Sequence, residues 1–137
     1  DPEVLICTSF QYPFYPWRYL RSEWQNVVNT PLEVGSDGRE FRRVVENHWL
    51  PALHAFKPDL VMISAGFDAH RDDPMGDLCL EDEDFYWVTH LAMEIATLYA
   101  DNRIVSVLEG GYNPKSLASG VEAHLKALLG LPFAEVP

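Results

Sequence analysis

Residues 60–74, LVMISAGFDAHRDDP, decide the fold. The apolar run 60–65 stops at Gly66, the pattern of a strand buried in a parallel sheet and covered on both faces. Beyond the glycine an acid, Asp68, and a histidine, His70, stand two residues apart. They are either the polar tail of a strand reaching water or part of a metal site. Residues 103–112, RIVSVLEGGY, repeat the theme. Here an apolar strand ends in Gly110 and Gly111, and Tyr112 follows.

The stretches around these two strands supply the other elements. EVLICTS (3–9) and VVNTPLEV (27–34) have the composition of short strands, separated by an aromatic, proline-bearing loop over 10–26. From Arg39 to Phe56, Phe41, Val44, Val45, Trp49, Leu53 and Phe56 recur at helical spacing. Pro51 lies inside that pattern and predicts a kink or break near Trp49. Lys57-Pro58-Asp59 reads as a turn. The acids Glu81 to Asp84 suit the positive end of a helix that continues through Phe85, Val88, Ala92, Ile95 and Tyr99. Asn113 is a plausible N-cap with Pro114 at the first helical position, and Gly130 with Pro132 stops that last helix. The order β-β-α-β-α-β-α predicts right-handed crossovers and an α/β fold on a mainly parallel sheet.

The 137 residues fit one domain, 1–137, large enough for a real core, with 47% apolar types and no run long enough to span a bilayer. The formal net charge of −11 makes nucleic acid a poor partner, since phosphate contacts need Lys and Arg. No basic-then-apolar leader opens the sequence. Cys7 and Cys79 have neither disulfide-framework nor metal-ligand spacing. A cytoplasmic setting without membrane contact is the expectation.

Sites in such sheets form beyond the carboxyl ends of strands, and sequential parallel strands are usually neighbours. Asp68, His70, Gly110, Gly111 and Tyr112 are therefore expected on one edge. Each has a plainer role as well. Asp68 reads either as a turn cap or as a hard metal ligand. His70 alone in a loop is more often solvated than a ligand. Tyr112 can be a core aromatic or a donor to a developing oxyanion. The glycine pair ahead of a helix is also weakly compatible with phosphate binding. His48, His54, His90 and His124 fall within expected helices and read as surface or core residues.

PDLVMISAGFDAHRDDPMG, LEDEDF and VSVLEGGYN, in this order and spacing, resemble the zinc-dependent histone deacetylase family. The closer likeness is to its bacterial branch of histone-deacetylase-like and acetylpolyamine amidohydrolases. VLICTS, VNTPL, LPALHAFKPDL and the last helix extend it over nearly the whole chain. The resemblance implies an arginase-like three-layer α/β fold, with helices on both faces of a mainly parallel sheet, here incomplete. It implies zinc as cofactor, Asp68 as a zinc ligand, and Tyr112 as the catalytic residue. Met75, Gly110, Gly111 and Tyr15 are implied as substrate-binding residues lining an acyl tunnel. His70 is not a ligand in this pattern. The implied reaction removes an acetyl group from lysine or a polyamine, a zinc-activated water attacking while Tyr112 stabilises the oxyanion.

The family's paired catalytic histidines, its Asp-x-His ligand pair and its glycine-rich N-terminal half have no counterpart in this sequence. Trp17 stands where the family's loop tends to have glycine. The chain is thus expected to be the C-terminal part of such a catalytic domain, inactive alone and paired with the N-terminal half of the same enzyme. In isolation it is expected to be poorly soluble or to form a homo-oligomer. The alternatives are a non-catalytic α/β interaction module and, less favoured, a nucleotide-binding domain using EGGYNP.

Overall fold

A computed structural model describes residues 1–15, 17 and 24–134. Strands β1 (Ile6–Gln11) and β2 (Val27–Leu32) pair in parallel, as do β3 (Val61–Ala65) and β4 (Ile104–Leu108). Helices α1 (Gly38–Val44), α2 (Leu50–Phe56), α3 (Asp82–Tyr99) and α4 (Pro114–Leu128) fill the connections. This is the expected α/β order with parallel pairing. Among the described residues, however, no ladder joins the two pairs into one sheet.

The local signals explain the element ends. A π-helical turn, Val45–Trp49, separates α1 from α2, and Pro51 lies in the first turn of α2. Proline has no N–H to donate and crowds the carbonyl four residues back, so the chain widens there. Trp49 then donates its indole N–H to Thr30 Oγ1 at 3.0 Å, fastening the turn to β2. Lys57 closes α2 in the left-handed region, φ 53°. Glu81 caps α3 in a reciprocal capping box with Asp84. Asn113 caps α4 through the N–H of Lys115.

The core runs from Leu32 of β2 and Phe41, Val44 and Val45 at the first helical segment to Ala65, Phe67, Phe85 and Ile95 beside β3 and α3. Phe67, just past β3, is 2% exposed and tilts against Phe85. Beside it runs a polar chain. Thr89 Oγ1 donates to the Phe85 carbonyl at 2.7 Å, so it accepts from His124 Nδ1, also at 2.7 Å. His124 Nε2 then accepts from the Ser106 hydroxyl at 2.8 Å. The ring is neutral, and burial pushes its pKa below the ordinary value. An unfolded histidine, near pKa 6.5, takes up a proton that the folded ring refuses. Stability from this group is therefore complete above that pH and lost as the pH falls below it, by at most about 1.4 kcal/mol per pH unit. The thermal midpoint of the full-length protein should drop more steeply from pH 7 to pH 5 than that of His124→Gln. Parallel curves would show that His124 is not responsible.

One expectation fails within this chain. The strand read as covered on both faces is covered on one. Val61, Ile63 and Ala65 face the core, while Met62 is 70% exposed and its neighbours Val105 and Val107 are 48% and 54% exposed. The reason is geometric: α3 and α4 both pack on the same side of the β3–β4 ribbon. No described residue covers the other side.

Candidate active site

β3 and β4 run in parallel register, Val61 opposite Ile104 and Ala65 opposite Leu108, so they end together. The pairing continues past both ends. Glu109 donates its N–H to the Ala65 carbonyl at 2.9 Å, and Phe67 donates to the Gly110 carbonyl at 2.8 Å. The two segments that follow the strands therefore start side by side. Asp68 turns its carboxylate onto Gly110. A Cβ at Gly110 would lie 2.6 Å from Asp68 Oδ2, a distance no side chain tolerates. Only glycine permits this approach. Gly111, at φ 145°, lies in the region favoured by glycine. Tyr112 follows with its side chain 57% exposed. Asp68 and Tyr112 thus open on one edge, and Tyr112 is not a core aromatic.

Asp68 is not a turn cap. Apart from its own N–H, no backbone group among the described residues bonds its carboxylate, and no Lys, Arg or His there forms an ion pair with it. Partial burial raises its pKa above the ordinary value, and the charges of Asp73 and Glu109 push the same way. An exposed carboxylate at the strand ends, with acidic neighbours and no cation paired to it among the described residues, fits one ligand position of a divalent metal. It fits only one. Among the described residues no group of three His, Cys, Asp or Glu could hold a metal ion.

Capping falls to Asp73, a residue that the sequence did not single out. One of its oxygens accepts the Met75 N–H at 2.9 Å, and the other accepts the Tyr112 N–H at 2.7 Å. Met75 is held beside the edge with its side chain 58% exposed. His70 departs from the expectation of a solvated loop histidine. It is 6% exposed, stacks on Phe85, and accepts the Asp72 N–H at Nδ1, 3.0 Å. That leaves its ring proton on Nε2, 3.6 Å from Asp82 Oδ1. Its job is to pin the loop to the start of α3.

The β1 end reaches the same loop. Gln11 accepts the Asp77 N–H at 2.8 Å and donates to the Asp77 carboxylate at 3.1 Å. Tyr15, four residues beyond β1, is 79% exposed. No described hydrogen bond or ring contact ties it to Asp68, Gly110 or Tyr112. Trp17 has φ 61°, a backbone position that favours glycine. Residues 16 and 18–23 of the loop expected over 10–26 lie outside the described residues.

Two other chemistries are disfavoured. The Tyr112 N–H, which a phosphate at EGGYNP would need, is taken by a carboxylate, and the Lys115 N–H is taken by Asn113. Burial pushes the Cys7 thiol up to about 11, so it is not a nucleophile at neutral pH.

Comparison with known proteins shows the family. The model of the histone deacetylase domain matches residues 1–128. An uncharacterized Synechocystis protein, slr0245, is 40% identical over 132 residues, covering 94% of this chain and 42% of that protein. The polyamine deacetylase HDAC10 of Danio rerio is 38% identical over 149 residues, covering 99% of this chain and 21% of that protein. The solved structure of the histone deacetylase Clr3 superposes with a TM-score of 0.87 at 29% identity, over 99% of this chain and 24% of that one. The chain therefore spans less than half the length of these relatives.

Proposed function

The chain belongs to the histone deacetylase family, and on that premise we propose that it builds part of the active site of an amidohydrolase. The substrate is an acetylated amine, of lysine or of a polyamine. The observation that supports this most is the seating of the Asp68 carboxylate on Gly110, two residues before an exposed Tyr112, at the common end of β3 and β4.

Each group has a role suited to its chemistry. Asp68 is one protein ligand of a zinc ion. When bound, zinc supplies a Lewis acid for the amide carbonyl and acidifies the attacking water. Tyr112 donates its phenolic hydrogen to the oxygen that becomes negative as the carbonyl carbon turns tetrahedral, an interaction stronger in the transition state than in the ground state. Gly110 and Gly111 leave room for a slender acyl group. Met75, and Tyr15 from the β1 side, offer apolar surface to the aliphatic stem of the amine.

Catalytic zinc ordinarily takes three protein ligands, so the other ligands and the general base belong to the N-terminal half of the same enzyme. That half is also the natural cover for the bare Met62, Val105 and Val107 face. Acetate release from an acetyl-lysine peptide and from an acetylated polyamine by the full-length protein tests the proposal. At least one should be hydrolysed, activity should vanish on metal removal, and zinc should restore it. Hydrolysis unaffected by metal removal, or no hydrolysis of either class by zinc-loaded protein, would contradict it.

A further inference from the structure

We infer that Asp73 is a positioning residue for this reaction, holding the backbone of Tyr112 and of Met75 on the two oxygens of one buried carboxylate. The inference rests on the proposed role of Tyr112.

Tyr112 needs such an anchor. Two glycines precede it, and glycine restrains the backbone least of all residues. Among the described residues no hydrogen bond holds its hydroxyl, and the ring is more than half exposed. The phenol is therefore placed from its backbone. On the near side, Phe67 N–H to Gly110 O fixes the start of the glycine pair at 2.8 Å. On the far side, Asp73 Oδ2 accepts the Tyr112 N–H at 2.7 Å, and Asn113 donates its side-chain N–H to the Asp72 carbonyl at 2.8 Å. Hydrogen bonds to a carboxylate are about twice as strong as neutral ones, so Asp73 is the stronger of these two far-side ties.

The same carboxylate sets a second distance. Its Oδ1 takes the Met75 N–H, so the residue proposed against the substrate stem and the residue proposed at the oxyanion are referenced to one group. Asp73 is 6% exposed, and both its oxygens are occupied. It touches neither substrate nor metal in this scheme.

Asp73→Asn keeps the shape but turns an NH2 group toward one of the two N–H donors, so one tie is lost. In the full-length zinc-loaded enzyme, kcat should fall about ten- to a hundredfold, as for a small misplacement of a catalytic group, with KM rising as well to the extent that Met75 is released. The decisive measurement repeats the substitution in a Tyr112→Phe background. There most of the additional loss should disappear, because the phenol being positioned is already gone. A merely structural Asp73 would cost the same factor in both backgrounds, and that result, or no loss in either, would overturn the inference. If Tyr112→Phe alone leaves kcat normal, the proposed function itself fails, which is a separate outcome. Should Asp73→Asn not fold, Asp73→Ser runs through the same cycle with the same two criteria.

Discussion

Asp68→Ala in the full-length enzyme is expected to abolish zinc binding and acetate release together. Loss of an outer partner of a metal site already costs about 10–100-fold in affinity, and loss of a direct ligand should cost at least the upper end of that range. The distinguishing feature is stability without metal. Asp68 is partly desolvated, faces the charges of Asp73 and Glu109, and has no described cationic partner. The like charges beside it disfavour its ionised form in the metal-free fold. The metal-free thermal midpoint should therefore hold or rise in Asp68→Ala, while the increment given by added zinc disappears. A variant that keeps its zinc, or a metal-free fold that collapses, would assign Asp68 a structural role instead.

Tyr112→Phe should leave zinc content and KM nearly unchanged and lower kcat about 10²–10³-fold, equivalent to about 2.7–4 kcal/mol of transition-state stabilisation. The ring of Tyr112 is exposed and its hydroxyl bonds to no described group, so removing that oxygen leaves nothing else in the fold unpaired. The fall in rate would report chemistry and not unfolding. The contrast with Asp68→Ala is the useful one, since one variant loses the metal and the other loses only a donor. Near-normal turnover would remove Tyr112 from the mechanism.

Local rules were legible in the sequence wherever the cause was local. Asn113, Pro114 and Gly130 mark α4 because capping, a fixed φ and a left-handed exit each act within a turn. Pro51 announced a fault near Trp49, although whether the helix would break or widen into a π-turn depended on Trp49 finding Thr30 across the chain. The common ends of β3 and β4 followed from parallel topology, and with them the meeting of Asp68, Gly110 and Tyr112. Asp73 stayed hidden because its meaning lies in a bond to Tyr112 across 39 positions of sequence, and an aspartate before a proline looks like any turn residue. His70 was misjudged for the same reason: its cover, Phe85, belongs to another element. The apolar run 60–65 predicted apolar cover on two sides, and the described residues supply it on one, because a run of apolar residues does not say which elements will pack on each face.

The location of zinc in crystals of the full-length protein tests the central claim most directly. Diffraction data collected on both sides of the zinc absorption edge should place an anomalous peak about 2.0–2.2 Å from an Asp68 carboxylate oxygen, on the edge that Gly110 and Tyr112 share. A zinc peak elsewhere, with Asp68 left unligated in zinc-loaded protein, would contradict it.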